Sequence, residues 1–204
     1  DPKDIPLSTA KRLPIRYNYN DNYFDDKYQG IPVDGYGKMF EKILDHEKIK
    51  ISLNTSFDEY KYSWQENYDY IVFTGSVDEF FDYQYGYLPY RTVRFEEIRG
   101  AEIQGNAVIN YTDMSEKFTR IHEHKYFTPD KTFKESVAFK EYSEASDSKN
   151  RPYYPVETPE SISMIEKYRE LAKKESNVIF IGRLAEFKYY NMDQVIKSSM
   201  ELYQ

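Results

Sequence analysis

A chain of 204 residues is long enough for one large domain or two small ones around a substantial core. Its net charge of -7 argues against nucleic acid and acidic membranes as bulk partners, so an anionic ligand needs locally placed arginines. With no cysteine there is no disulfide framework, no thiolate nucleophile and no Cys-ligated metal; with no apolar run near spanning length and an opening, DPKDIPLSTAKR, too polar for a signal peptide, a soluble, cytoplasmic protein is expected.

In chain order, residues 12–28 read as short strands, with RLPIRYNY ahead of a polar turn at Asn20 to Asn22. Tyr36 to Glu47 predicts an amphipathic helix with Met39, Phe40, Ile43 and Leu44 on one face. IKISLN (Ile49 to Asn54) and YDYIVFTG (Tyr68 to Gly75) predict two strands, the second continuous enough to be central. The helix between the first strands and IKISLN resembles a βαβ crossover, which puts part of the chain in an open α/β sheet. SVDEFF starts a short helix with Ser76 as its N-cap. From about Pro89 to Lys140, YRTVRFEEI, NAVINYT, FTRIHEHKYF and KESVAFKEY alternate polar and apolar residues between turns, as an antiparallel meander does.

Residues 143–152 read as a loop. Thr158 caps the next helix, with Glu160 close behind and an apolar stripe of Ile162, Ile165, Tyr168, Leu171 and Ala172. The chain closes on NVIFIGRLAEFKYYNMDQVIKSS, Asn177 to Ser199: a buried strand, a Gly-Arg turn, an aromatic cluster and a helix. A flavin-binding fold ends in this way, with the strand delivering its loop and the helix N-terminus to the ring. The glycine-rich phosphate loop that opens such a fold is not in this chain. The expected class is α+β or mixed α/β: an antiparallel sheet domain plus the C-terminal remainder of a Rossmann-like sheet with helices.

Several residues stand out chemically. The 22 tyrosines suit sugar and nucleobase surfaces, although most tyrosines serve to line a sheet face. Gly182 permits close backbone approach to a ligand, and Arg183 can pair with a phosphate or flavin oxygen. The helix start from Met192 to Lys197 offers free N–H groups to an electron-rich edge. Arg12, Arg16 and Arg120 sit in aromatic, strand-like settings, and two of them converging on a pyrophosphate form charge-assisted hydrogen bonds. Glu141 ends a strand near Tyr153 and Tyr154 and is a candidate base or hydrogen-bond acceptor. His122, Glu123 and His124 have the look of a metal motif, but a strand places only His122 and His124 on one face, and no metal is expected. No G-x-S-x-G elbow or Walker loop occurs, so ordinary hydrolase and kinase readings have no support.

Read together, KRLPIRYNYNDNYFDDKYQGIPVDGYGKMFEKIL, YDYIVFTGSVDEFFDYQYGYLPYRT, QGNAVINYTD, FTRIHEHKYF, KEYS, RPYYPV and GRLAEFKYYNMDQVI resemble the UDP-galactopyranose mutases, in order and over nearly the whole chain. The resemblance implies an isomerase that interconverts UDP-galactopyranose and UDP-galactofuranose for surface polysaccharide such as lipopolysaccharide or capsule. It implies FAD, active in its reduced form, which works without net redox through a covalent flavin N5–sugar adduct. It also implies a homodimer, with UDP-galactose in both ring forms as partner. By this likeness Arg12 is the mobile-loop arginine that closes on the diphosphate and Arg120 its fixed partner. Tyr23, Tyr154 and Tyr189 match tyrosines that contact diphosphate and galactose, Asn110 a substrate-contacting asparagine, and Glu141 an acidic residue near the sugar. Arg12, Arg120, Glu141 and Tyr189 form the expected catalytic set. Arg183, Asn191, Met192, Asp193, Gln194, Val195, Ile196 and Lys197 match flavin contacts; no family role falls on Arg16.

Asn191 departs from the aspartate many members carry, keeping hydrogen-bonding capacity but supplying no negative charge. The family's dinucleotide loop and uridine-stacking aromatics have no counterpart here, so the isolated chain is expected to be inactive. The implied division is 1–35 as a substrate-loop and strand segment, 36–88 as part of the FAD-binding domain, 89–155 as the antiparallel sheet domain and 156–204 as the closing helix-strand-helix. Two other readings fit the same residues: a non-catalytic module that binds nucleotide-sugar or glycan, and another flavoenzyme of the amine-oxidase-like superfold.

Overall fold

The computed structural model describes residues 16–20, 22–128, 130–147 and 149–203. The chain divides into two compact units, Asp1–Thr55 and Ser56–Gln204. Among the described residues no helix is long and apolar enough to cross a membrane.

In the first unit the strands read over residues 12–28 do not appear among residues 16–28, and positions 12–15 lie outside the described residues. The asparagines explain why. Asn18 Oδ1 accepts from the Asn20 N–H at 2.9 Å and Asn20 Oδ1 from the Asn22 N–H at 3.1 Å, so side chains take donors that a strand ladder needs. Arg16 locks this turn, pairing with Asp25 at 2.9 Å and donating to the Asn22 carbonyl. Helix α1, Gly35–Leu44, forms where the periodicity places it, but it buries no residue. Residues 49–54 form no strand, with Ile49, Ile51 and Leu53 exposed. An apolar alternating run becomes a strand only where a second edge accepts it, and among the described residues none does.

The second unit contains two sheets. Strand β1, Ile71–Phe73, pairs in parallel with β7, Val178–Phe180, as the central-strand reading requires, but the sheet has these two strands only. The other sheet is antiparallel with five strands, matching the predicted meander: β2, Tyr90–Gly100; β3, Val108–Asn110; β4, Arg120–Glu123; β5, Ser136–Ala145; and β6, Tyr154–Pro155. Its spatial order is β3-β4-β5-β2-β6. The long β2 and β5 pair over their full length and form its spine.

Three helices pack against or flank these sheets: α2, Val77–Phe80; α3, Pro159–Ala172; and α4, Met192–Tyr203. Ser76 occupies the N-cap position of α2, although its side chain makes no cap hydrogen bond. Thr158 caps α3 as expected, but Ser161 rather than Glu160 closes the reciprocal box: Thr158 Oγ1 accepts from the Ser161 N–H and Ser161 Oγ from the Thr158 N–H. Ile165 and Tyr168 project from α3 into a core with Val77, Leu88, Tyr90 and Phe187. A second cluster gathers Trp64, Phe73, Val178 and Ala185 under the parallel strands. Gly75 belongs to this packing, because a Cβ there would stand 2.7 Å from the Phe73 ring.

Tyr168 ties α3 to the loop before β2. Its hydroxyl donates to the Gly86 carbonyl at 2.7 Å and accepts the Tyr85 N–H at 3.0 Å. Tyr168→Phe keeps the ring and strands both backbone groups, for an expected loss of about 1–3 kcal/mol. Thermal denaturation of the variant checks this, and an unchanged midpoint contradicts it.

Candidate functional site

The register of the antiparallel sheet decides which side chains can meet. Directly opposed residues in such a ladder project from one face, as do residues two apart along a strand. Asn110 is opposed to Arg120, Arg120 to Glu141 and Glu141 to Phe95. Arg91, on the same side of β2 as Phe95, is opposed to Tyr154. One face of the curved sheet therefore carries Asn110, Arg120, Glu141 and Tyr154, four of the residues singled out in the sequence. The other face carries Thr92, Ile121, Glu123 and Ala138, all buried, and forms the inner side.

Glu141 is the best-held member. Its carboxylate lies almost wholly out of solvent, with Oε1 3.2 Å from Arg120 Nε and Oε2 2.9 Å from His122 Nε2. Thr119 adds its N–H to the Glu141 carbonyl at 2.8 Å and its hydroxyl to the same carbonyl at 3.1 Å. Arg120 Nε, although close to Oε1, is not aligned for a hydrogen bond and is buried without a partner. The Arg120 side chain is nonetheless 43% exposed, so its charged end faces outward. A cavity of about 340 Å³ adjoins, walled by Phe95, His122, His124, Phe139 and Glu141. That volume falls in the range of small-ligand sites.

A second cluster forms where β6 meets the closing segment. The rings of Tyr154 and Tyr189 stack with centroids 5.1 Å apart and planes 22° apart. The Arg183 guanidinium lies 4.8 Å from the first ring and 5.3 Å from the second, within cation–π range. Its Nε donates to the Tyr190 carbonyl at 2.9 Å, Nη2 to that same oxygen and Nη1 to the Tyr153 carbonyl at 3.3 Å. Arg183 thus staples the two tyrosine-bearing segments together and keeps part of its donor set open. The turn before it is equally built: Gly182 has φ +96, and its N–H donates to Glu186 Oε2 at 2.9 Å. Glu186 also pairs with Lys188 at 2.9 Å and accepts from the Tyr190 hydroxyl at 3.0 Å, and this partnership holds the Lys188 ammonium above its ordinary pKa.

The rest of the predicted set is placed as follows. Met192, Asp193, Gln194, Val195, Ile196 and Lys197 form the start of α4; Gln194 Oε1 accepts the Asn191 N–H at 2.8 Å, and Lys197 pairs with Glu201 at 3.7 Å. Tyr23 belongs to the first unit, where it packs edge-on against Phe24. Arg12 lies outside the described residues. Among the described residues no three His, Asp or Glu groups gather as a metal site. His122 turns to Glu141, while His124 begins a short 3₁₀ turn and packs edge-on against Phe127 and Phe139. Burial and the neighbouring His122 hold the His124 pKa below its ordinary value. His122, Thr119, Glu186 and Tyr190 had no role in the sequence reading. Alternation along FTRIHEH would have put His122 on the Arg120 face.

A face presenting a cation, a held carboxylate, an amide and stacked tyrosines suits an anionic, polyhydroxylated ligand, and it sits in a mixed α/β protein. The sequence model of the UDP-galactopyranose mutase family matches residues 1–189, and the chain belongs to that family. It is 43% identical over 209 residues to the dTDP-fucopyranose mutase of Escherichia coli, covering 100% of this chain and 55% of that protein. It is also 43% identical over 202 residues to a probable UDP-galactopyranose mutase of Klebsiella pneumoniae, covering 98% of this chain and 52% of the relative. A UDP-galactopyranose mutase of Mycoplasma pneumoniae is 29% identical over 213 residues, covering 97% and 53%. The chain thus spans about half the length of the curated relatives it matches.

Proposed function

We propose that the complete protein carrying this chain is an isomerase that interconverts the pyranose and furanose forms of a nucleotide-linked sugar, UDP-galactose first among them, with FAD as cofactor. The observation that carries this reading is the sheet register that puts Asn110, Arg120, Glu141 and Tyr154 on one face. Arg120 presents its charge to the diphosphate, with Arg12 as the second arginine of the pair. As the bond between the anomeric carbon and the diphosphate oxygen breaks, negative charge accumulates on the leaving diphosphate. An arginine already in place stabilises that state more than the ground state. Tyr154, Tyr189 and Tyr23 offer ring faces and hydroxyls to sugar and diphosphate, Asn110 an amide, and Glu141 an acceptor for sugar hydroxyls.

The chain's own geometry fits a flavin. An added Cβ at Gly182 meets no atom within 4 Å, so this turn at the C-terminal end of β7 is open for close backbone approach. The N-terminus of α4 and the uncommitted donors of Arg183 suit an electron-rich ring edge. Reduced FAD, when bound, supplies the nucleophile that meets the anomeric carbon. The parallel sheet supports the view that the other half of the protein completes the cofactor domain in Rossmann-like fashion. Two parallel strands do not make an independent sheet, and Val72 of β1 is 59% exposed on the side away from the core. The isolated chain is accordingly inactive, and the complete protein is a cytoplasmic homodimer that supplies furanose sugar for surface polysaccharide.

The equal likeness to a dTDP-fucopyranose mutase favours a second substrate, dTDP-fucose, whose sugar lacks the 6-hydroxyl of galactose. Both donors undergo the same ring change, so one assay separates them. The complete protein, with FAD and dithionite, is incubated in turn with UDP-galactofuranose and dTDP-fucofuranose, and the products are resolved by chromatography. Conversion of either donor, dependent on reductant, supports the mutase reading and names the substrate. A folded, flavin-loaded protein that converts neither contradicts it.

A further inference from the structure

The run His122-Glu123-His124 looks like a single motif, but its members part company. Glu123 turns inward to a backbone loop, His124 packs on Phe127 and Phe139, and His122 faces Glu141. We propose that His122 is a positioning residue for Arg120, acting through the Glu141 carboxylate; its consequence for substrate rests on the mutase reading above.

The geometry argues the case. Arg120 and His122 stand two residues apart on β4 and project from one face. Each meets a different oxygen of the same carboxylate: Arg120 Nε is 3.2 Å from Oε1 and His122 Nε2 is 2.9 Å from Oε2. An ionised carboxylate accepts only, so His122 Nε2 carries the proton in this contact and donates it. That donation anchors Oε2. Freed of it, the carboxylate could rotate and take the guanidinium in a two-pronged pair, the strongest arrangement open to Arg and Glu. Such a pair would draw Arg120 down onto the sheet and away from a ligand. With Oε2 held, Arg120 touches one oxygen only, its Nε makes no hydrogen bond, and its terminal nitrogens remain outward. The imidazole is itself held, with the Phe95 ring edge-on at 6.2 Å and only 22% of the His122 side chain exposed, so water competes weakly for the contact.

The test uses the complete flavin-loaded protein with UDP as probe, titrated calorimetrically into wild type, His122→Leu, His122→Gln, Glu141→Gln and the His122→Leu/Glu141→Gln double variant. Glutamine carries an N–H donor as many bonds from Cα as His Nε2. We expect His122→Leu to weaken UDP binding about tenfold and His122→Gln to recover most of it. The leucine change should cost little more once Glu141 is glutamine, since residues acting through one partner are not additive. A readout that needs no ligand accompanies it: the Arg120 Nε–H resonance shifts in His122→Leu and returns towards wild type in His122→Gln. An equal penalty in both Glu141 backgrounds marks plain packing and overturns the proposal, as does an unmoved resonance with unmoved affinity. If wild type fails to bind UDP while the resonance responds as described, the positioning role stands and the mutase reading falls.

Discussion

Replacing Arg120 with alanine in the complete protein should lower turnover of the nucleotide-sugar by about 10²–10³-fold while leaving the fold intact, the loss typical of one preorganised group aimed at developing charge. The fold survives because Glu141 keeps His122 at 2.9 Å and the Thr119 contacts, so no buried carboxylate is left without donors. The loss should fall on kcat more than on KM, since the diphosphate gains charge only as the glycosidic bond breaks. Arg120→Lys should recover only part of the activity, because a point ammonium replaces a planar donor array. Steady-state kinetics of the two variants checks both statements. An alanine variant within twofold of wild type would remove Arg120 from the site.

The largest effect on stability should come from Glu123→Gln. Glu123 is fully buried, and its carboxylate accepts the N–H groups of Ile103 at 3.2 Å, Gln104 at 2.7 Å and Gly105 at 3.1 Å, together with the Ser136 hydroxyl. Lys125 lies 3.5 Å away. This one side chain therefore clamps the turn between β2 and β3 onto β4, and β3 brings Asn110 to the site. A glutamine directs its own N–H₂ at backbone donors and leaves some unmatched, for an expected loss of about 2–4 kcal/mol. In a chain of this size that corresponds to a fall in Tm of roughly 5–15 °C.

The same residue predicts an acid limb. Burial acts to raise the Glu123 pKa, but the Ser136 hydroxyl and the three backbone N–H groups outweigh it and bring the value down to about 2 from an ordinary 4.5. A carboxylate depressed in the folded state contributes stability above its unfolded pKa and loses it as pH falls through the folded one. Wild-type stability should therefore decline between about pH 4.5 and 2 through this group, and the glutamine variant should lack that component. Asp78 works in the opposite sense: burial raises its pKa against the Leu88 N–H that it accepts, so its contribution is present at low pH and fades as pH rises. Denaturant titrations across this window, wild type against variant, measure the difference.

How far the sequence revealed this arrangement depended on the range of the forces involved. Alternation in YRTVRFEEI and KESVAFKEY was enough to identify β2 and β5, because period-two patterning is local. Their register was not legible, since it depends on which strands pair, and only pairing shows that Asn110, Arg120, Glu141 and Tyr154 share a face. Ile49 to Asn54 has a strand's composition and no strand's structure, because among the described residues no edge pairs with it. Residues 16–22 carry asparagines whose side chains satisfy the backbone locally, which composition signals and alternation hides. Arg183 was singled out for a ligand; three of its hydrogen bonds run to the carbonyls of Tyr153 and Tyr190, contacts made by chain segments far apart in sequence. His122 was weighed only against metal binding, so its place beside Arg120 went unread.

The central claim is that one face of the antiparallel sheet receives the nucleotide-sugar, and UDP affinity measured on both faces tests it most directly. Asn110→Ala, Arg120→Ala and Tyr154→Ala probe the proposed face. Lys140→Ala probes the opposite one, where Lys140 lies 3.7 Å from Glu96 and over the Phe118 ring. In the complete flavin-loaded protein, each of the first three should weaken UDP binding severalfold or more, and Lys140→Ala should leave it within twofold. Equal losses from both faces, or none from the first three, would contradict the account.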